Sequence, residues 1–271
     1  MADEEDTLEP VIIEGWSIVR HGKVEKETRK LHVTTTITSP PLAPGVLPQA
    51  DTHEADNELV LVLKESTDVG TGGWVWQGAM ITANFVTDPA SFATGTWMGK
   101  SVLELGAGIG HTALVLASLG AAVVATDQAL VVPLLAANLA ANEKTVAAHG
   151  GSAAAAELEW APDVAVDPAV VASAGLAADD SFDYIVACDC LKCNEFVEPL
   201  AATLRAYAAS SATTILFSYE ERGLCALDTF YAATAGQGDF EWTELVGSSV
   251  GGGLASGDRA IWSMRRCLSD S

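Results

Sequence analysis

Residues 101–127, SVLELGAGIGHTALVLASLGAAVVATD, decide the fold of this chain. Read in order, they give an apolar strand, a glycine-rich turn, a helix of small and branched apolar residues, a second apolar strand and a terminal acid. This order is typical of the first βαβ unit of a nucleotide-binding α/β fold. In such folds a ligand lies beyond the carboxyl ends of the strands, so the turn and the terminal acid are the first candidates for a binding site.

The residues around the turn favour one class of ligand over another. A dinucleotide fingerprint has the form Gly-x-Gly-x-x-Gly, but after Gly106 and Gly108 the third glycine position holds His111. Glu104 stands two residues before the first glycine, where a carboxylate would repel a pyrophosphate and attract an ammonium group. The amino-acid end of S-adenosylmethionine carries such an ammonium group, so we interpret the turn as a methyl-donor site. The alternative is that the glycines only allow tight packing of a helix on a strand.

Acidic and aromatic residues near other strand ends are candidates for the same site. A carboxylate at Asp127 is suited to accept both ribose hydroxyls of a nucleoside, although Asp is also common in turns and at helix N-caps. Trp76 and Trp160 are suited to cover a flat base, with a place in the core as the alternative. Asp189 follows the fourth predicted strand, where it is suited either to position an amine or to form a turn.

Apolar strands alternate with helical segments over most of the chain. We therefore predict an α/β fold with a doubly wound, Rossmann-like sheet of seven strands, an antiparallel C-terminal edge hairpin and an N-terminal β extension. The predicted strands of this sheet are residues 102–105, 122–126, 154–160, 182–188, 214–219, 240–246 and 259–266. The predicted helices are a segment after Trp76 that ends near residue 86, then residues 110–119, 131–142, 196–209 and 224–234, while residues 164–178 fit a helix or a loop.

The chain is predicted to consist of an accessory region, residues 1–57, and a methyltransferase-type domain, residues 58–271. The remaining segments are predicted as a disordered acidic tail (1–9), a hairpin around His21-Gly22 (11–38), a proline-rich linker (39–57), a strand (58–64) and a glycine-rich mobile loop (247–257).

Composition limits the class of protein. The chain has 271 residues, 49% of them hydrophobic, which is enough for one sizeable α/β core. The acidic N-terminus lacks the basic and apolar regions of a secretory signal, and no apolar run is suited to span a bilayer. The cysteines are odd in number, and Cys188, Cys190 and Cys193 lie close together without the spacing of a zinc site. We therefore expect no metal and a reducing compartment, either the cytoplasm or the nucleus.

The charge of the chain bears on its partners. Fourteen Lys and Arg residues against 36 Asp and Glu residues give a net charge of −22. Such a surface repels phosphate backbones and anionic lipids, so nucleic acid and membranes are poor partners, whereas a basic or lysine-bearing protein surface is a better one. The alternative is that the acidity only keeps an alanine-rich protein soluble.

The motifs taken together resemble a known family. The chain is similar to the seven-β-strand, methyltransferase-like protein-lysine methyltransferases, a class I family that includes enzymes acting on valosin-containing protein and on heat-shock chaperones. The resemblance covers about residues 73–266. Its motifs are Val75-Trp76, VLELGAGIG at 102–110, ATD at 125–127, Leu158-Glu159-Trp160, Asp189, Glu198-Pro199-Leu200 and SYEER at 218–222.

The resemblance implies roles for individual residues. The donor, S-adenosylmethionine, is expected to be bound by Trp76, Gly106, Ala107, Gly108, Asp127, Trp160 and Cys188. Cys188 stands where the family commonly has Ala, and Lys192 stands at the Tyr of the family's Asp-x-x-Tyr pattern. The positive charge of Lys192 would either repel a target lysine or help to deprotonate it by lowering its pKa. The alternatives are that the chain methylates another kind of acceptor or has lost its activity. Asp189 and Lys192 are thus the candidate catalytic residues.

The leading hypothesis is an S-adenosylmethionine-dependent protein-lysine N-methyltransferase. Asp189 would orient a neutral amine for in-line attack on the sulfonium methyl group, in a site that excludes water. The expected partner is a protein, either basic or of the chaperone and ATPase type. Two alternatives remain: methylation of a small molecule, and a binding module on a methyltransferase fold that has lost its activity through Lys192.

Overall fold

The computed structural model describes residues 11–13, 16–25, 30–39, 42–43, 46–47, 58–222, 226–246 and 259–267. Its strands are β1 (Val11–Ile13), β2 (Trp16–Glu25), β3 (Lys30–Thr38), β4 (Val60–Ser66), β5 (Ser101–Leu105), β6 (Ala122–Asp127), β7 (Ser152–Glu157), β8 (Tyr184–Cys188), β9 (Thr214–Glu220), β10 (Phe240–Val246) and β11 (Arg259–Arg266). Its α-helices are α1 (Gln77–Thr87), α2 (His111–Ser118), α3 (Val132–Ala141), α4 (Glu143–Ala148), α5 (Pro168–Ser173), α6 (Val197–Tyr207) and α7 (Ala226–Thr234). The 3-10 helices Thr67–Gly73 and Asn194–Phe196 precede α1 and α6.

The larger sheet has seven strands in the order β10-β11-β9-β8-β5-β6-β7. The five strands from β9 to β7 are parallel, while β11 lies between β9 and β10 and runs antiparallel to both. Every residue of β5 is buried, as expected for a central parallel strand with helices on both faces. The predicted doubly wound α/β fold with a C-terminal edge hairpin is therefore confirmed.

The N-terminal β extension is a second, antiparallel sheet in the order β1-β2-β3-β4. The predicted hairpin is present, since β2 pairs with β3 up to Glu25 opposite Lys30. The predicted position of its centre is wrong, because His21-Gly22 lies inside β2 and pairs with β3. The strand predicted at 58–64, which was grouped with the 58–271 domain, is β4 and pairs with β3.

Asn138 of α3 and Asn142, the residue that follows α3, attach this sheet to the rest of the molecule. Asn142 accepts a hydrogen bond from Val62 N at 2.9 Å and donates one to Val62 O at 2.7 Å. Asn138 does the same with Lys64, at 2.7 and 3.0 Å. Four residues of helix rise about 6 Å, and two residues of strand span about 6.6 Å. The two amides therefore match the spacing of the backbone groups along the outer edge of β4 and bind it as a neighbouring strand would.

Some details of the core differ from the predicted pattern. The strand predicted at 154–160 is β7, which begins earlier and ends at Glu157, so Trp160 lies in the loop after it. The sequence does not predict the short helix α4, and residues 164–178, which fit either a helix or a loop, contain α5. The acidic tail, most of the proline-rich linker and the glycine-rich loop lie outside the described residues. Among the described residues, no helix has the length and apolarity needed to cross a membrane.

We expect the asparagine contacts to be a major source of stability for the N-terminal sheet. In Asn138→Asp and Asn142→Asp an ionised carboxylate would face carbonyl oxygens that now accept hydrogen bonds, at a cost of about 2 kcal/mol or more in the free energy of unfolding. Urea denaturation measures this change. The exposed Asn194 provides the matched control, since Asn194→Asp should leave the midpoint unchanged. Equal midpoints for all three variants would show that the contacts do not stabilise the fold.

Candidate active site

A cavity of about 250 Å³ lies at the carboxyl ends of β5, β6 and β8. This volume is far larger than a single water molecule needs, so the cavity is of ligand size. All ten residues singled out from the sequence line it, namely Trp76, Glu104, Gly106, Ala107, Gly108, Asp127, Trp160, Cys188, Asp189 and Lys192. The structure therefore brings the candidates together as the rule for ligands of α/β sheets predicts.

The glycine turn forms the floor of this cavity, and Asp127 is bound to it. Gly106 and Gly108 have φ values of 67° and 56°, which other residues rarely adopt. A Cβ atom at Gly106 would lie 3.2 Å from the Trp160 ring. The Gly108 N–H donates a hydrogen bond of 2.8 Å to Asp127 Oδ2, while Oδ1 accepts from Gln128 N. The carboxylate is thus held at the end of β6 beside the turn.

Glu104 is the buried acid of the site. The residue is 2% exposed, and its Oε2 has no hydrogen-bond partner among the described residues. Burial raises the pKa of this carboxyl group to about 8, and the nearby Asp127 carboxylate adds to the effect. The group is therefore mostly protonated at neutral pH in the free protein. A cation placed next to it would favour the charged form and lower the pKa.

Asp189 is bound by an arginine that the sequence reasoning did not connect to it. Both carboxylate oxygens accept from the Arg222 guanidinium, Oδ1 at 2.7 Å, and the Asp189 side chain is 1% exposed. Arg222 also lies over the Trp76 ring, 5.2 Å from its centroid. Asp189 has a φ of 52°, and a Cβ atom at Gly78 would lie only 2.5 Å from the Asp189 Cβ. An amine oriented by Asp189 would share the carboxylate with Arg222.

Lys192 reaches across the cavity to the segment before α1. Its Nζ donates a hydrogen bond to Thr71 Oγ1, and the Thr71 carbonyl in turn accepts from Trp76 Nε1 at 2.7 Å. Burial lowers the pKa of the Lys192 amine, an effect opposed by the negative charges around it, including Asp127. Thr71 was not among the predicted site residues, and no local pattern in the sequence singles it out.

The remaining wall is aromatic and apolar. Trp160 is half-buried, lines the cavity and lies perpendicular to the Phe196 ring, with ring centroids 6.4 Å apart. Burial raises the pKa of Cys188 to about 12, so its thiol stays protonated. Among the described residues, no group of three or more His, Cys, Asp or Glu side chains is placed to hold a metal ion. The prediction that there is no metal remains a prediction.

His111 lines the cavity, although it was not among the predicted site residues. It is 1% exposed and packs edge-on against Trp16 of β2, with ring centroids 5.1 Å apart. Neither ring nitrogen has a hydrogen-bond partner within the described part of the chain. Burial lowers the pKa of this imidazole to about 3, so it is neutral in the folded protein.

A family model described as "Lysine methyltransferase" matches residues 55–234, which contain the whole cavity lining. The chain belongs to the lysine methyltransferase family. The family resemblance drawn from the sequence motifs is thereby confirmed. The match begins just before β4 and ends with α7, so it includes the strand to which Asn138 and Asn142 bind.

Individual members of the family are moderately similar to the chain. The protein-lysine methyltransferase METTL21E of Bos taurus is 31% identical over 189 residues, which cover 67% of this chain and 60% of the relative. METTL21E of Mus musculus is 30% identical, covering 65% of this chain and 66% of the relative. Methyltransferase-like protein 22 of Mus musculus is 29% identical, and the match covers 56% of this chain and 39% of the relative. The matches to METTL21E thus span somewhat less than two thirds of that protein's length.

The buried imidazole of His111 makes a testable contribution to stability. The unfolded chain binds a proton at this residue below about pH 6.5 and the folded protein does not, so stability is lost as the pH falls. Between about pH 6.5 and pH 5 the free energy of unfolding of the wild type should fall by about 1.5 kcal/mol more than that of His111→Gln. Denaturant titrations at several pH values measure this difference in stability. His149 is partly exposed, so His149→Gln provides the control. Parallel curves for wild type and His111→Gln would contradict it.

Proposed function

We propose that this chain is an S-adenosylmethionine-dependent methyltransferase that acts on lysine residues of proteins. The observation that carries the proposal is the glycine turn tied to Asp127 beside the buried Glu104, in a chain that belongs to the lysine methyltransferase family. S-adenosylmethionine supplies a methyl group on a positively charged sulfur. The chain's own residues bind it, align it with the acceptor and exclude water.

The residues present fit such a donor at both ends. Asp127 has a carboxylate fixed by backbone N–H groups and suited to accept ribose hydroxyls. The unpartnered Oε2 of Glu104 is suited to the ammonium group of the amino-acid end. Gly106 and Gly108 let the turn lie closer to Trp160 and Gly72 than a side chain would allow, and Trp160 offers a flat surface for the base.

The acceptor side of the site is organised by the pair of Asp189 and Arg222. The Arg222 guanidinium forms an ion pair with the Asp189 carboxylate and lies over the Trp76 ring. These contacts hold Asp189 and Trp76 in place at one side of the cavity. We propose that Asp189 orients the acceptor amine through the lone pairs that Arg222 leaves free. An acidic protein of net charge −22 favours a basic protein substrate, since opposite charges increase the rate of encounter.

Donor binding tests the proposal directly. Isothermal titration calorimetry with S-adenosylmethionine should give a measurable affinity that falls about 10- to 100-fold in Asp127→Asn, because a charged acceptor of hydrogen bonds is lost. Asp183 provides a matched control: it lies at the opposite end of β8, where it binds Lys100 and Ser101. Asp183→Asn should keep the wild-type affinity. No binding by the wild type at millimolar donor would refute the proposal.

The elevated pKa of Glu104 makes donor binding depend on protons. Because the carboxyl group is mostly protonated at pH 7, an incoming ammonium group should drive the release of close to one proton for each donor bound. Calorimetry in phosphate and in Tris buffer measures the released proton as a difference in apparent enthalpy. Glu104→Gln should bind more weakly and show no such difference. Equal wild-type enthalpies in the two buffers would exclude the contact between Glu104 and the ammonium group.

Transfer to protein lysines is tested with labelled donor in a cell lysate, followed by mass spectrometry of the labelled proteins. Labelled lysines in basic proteins, with labelling that falls as ionic strength rises, are the expected result. Donor binding without transfer to any protein would exclude the lysine methyltransferase function and favour a binding module. Label confined to small molecules would favour the alternative of a small-molecule acceptor.

A further inference from the structure

The position of Lys192 within the cavity is not explained by donor binding alone. The residue follows β8 and is half-buried, and its amine extends to Thr71 on the opposite wall. Gly72, next to Thr71, lies directly against the glycine turn, since a Cβ atom at Gly108 would be 3.1 Å from Gly72 O. The amine therefore lies along the wall of the same cavity that the glycine turn lines and that is proposed to hold the donor.

The electrostatic surroundings of this amine suit a nucleophile. Asp127 and Asp189 attract its charge, so it is held near the two carboxylates that flank the proposed donor site. Burial outweighs this attraction and lowers the pKa of the amine, which raises the fraction of neutral nitrogen available at physiological pH. A lysine side chain has four flexible methylene groups, so Nζ can leave Thr71 without a movement of the backbone.

We propose that Lys192 Nζ is itself a methyl acceptor, so that the protein methylates its own chain at this position. The inference rests on the proposed function, because it requires bound S-adenosylmethionine. The lysine first loses a proton to water. Nζ then forms a bond to the methyl carbon, breaks the bond between that carbon and sulfur, and leaves the electron pair on sulfur, which yields S-adenosylhomocysteine. The methylated amine is again a cation and keeps N–H donors for Thr71.

Other lysines provide an internal comparison. Of the lysines whose side chains the structure describes, Lys64, Lys100 and Lys144 do not line the cavity. Lys100 is paired with Asp183 at 2.8 Å, and the hydrogen bond to that carboxylate raises the pKa of Lys100. Lys100 is thus an ion-paired amine outside the cavity, and its pKa is shifted in the direction opposite to that of Lys192.

The experiment uses the purified full chain with methyl-labelled S-adenosylmethionine and no added substrate. Peptide mass spectrometry should find label on Lys192 and none on Lys100. Lys192→Arg keeps the positive charge but removes the nucleophile, so labelling should be lost, whereas Lys100→Arg should leave it unchanged. An unlabelled Lys192 in a protein that labels lysates would overturn this inference and leave the proposed function intact. An unlabelled Lys192 without donor binding would overturn both.

The position of the amine can also be tested without any transfer. After reductive methylation with ¹³C-formaldehyde, the Lys192 resonance, assigned with Lys192→Arg, should shift when S-adenosylhomocysteine is added, and the Lys100 resonance should not. A Lys192 resonance that is insensitive to this ligand would overturn the inference. Mixing wild type with a tagged Asp127→Ala chain tests whether the reaction is intramolecular. Label on the wild-type chain alone supports the proposal, and equal label on the tagged chain contradicts it.

Discussion

The side-chain amide of Asn138 is the contact on which the rest of the architecture depends. It is 1% exposed and exchanges two hydrogen bonds with the backbone of Lys64 in β4. Its Nδ2 also donates a hydrogen bond of 3.0 Å to the carbonyl of Ile109, which lies inside the glycine turn. One buried group therefore joins α3, the N-terminal sheet and the floor of the cavity, and the turn is held from behind by the same residue that attaches the sheet.

A second polar network connects the N-terminal sheet with the wall of the cavity. Glu65 of β4 is 1% exposed and accepts hydrogen bonds from Arg20 of β2 and Thr35 of β3, at 2.5 and 2.6 Å. It also accepts from the backbone N–H of Val75, which lines the cavity just before α1. The described residues before the family match thus support the site, although none of these described residues lines the cavity.

Periodicity and the glycine pattern were sufficient to predict the seven-stranded sheet and the cavity at its carboxyl edge, because both are local signals in the sequence. Contacts between distant side chains leave no such signal. Thr71 and Lys192 lie 121 residues apart, and Asp189 and Arg222 lie 33 apart, so neither pair was foreseen. The end of the strand before Trp160 was misjudged because a run of apolar and acidic residues reads equally well as strand or as loop.

The asparagine contacts on β4 also affect how the protein behaves at high concentration. Strands at the rim of a sheet tend to recruit strands of other molecules through their unpaired backbone groups, and β4 carries the exposed apolar residues Val60 and Val62 that make such recruitment favourable. Asn138 and Asn142 occupy the outward-facing N–H and C=O groups of Val62 and Lys64. The two side chains that attach the N-terminal sheet therefore also prevent β4 from forming intermolecular β-sheets that lead to aggregation.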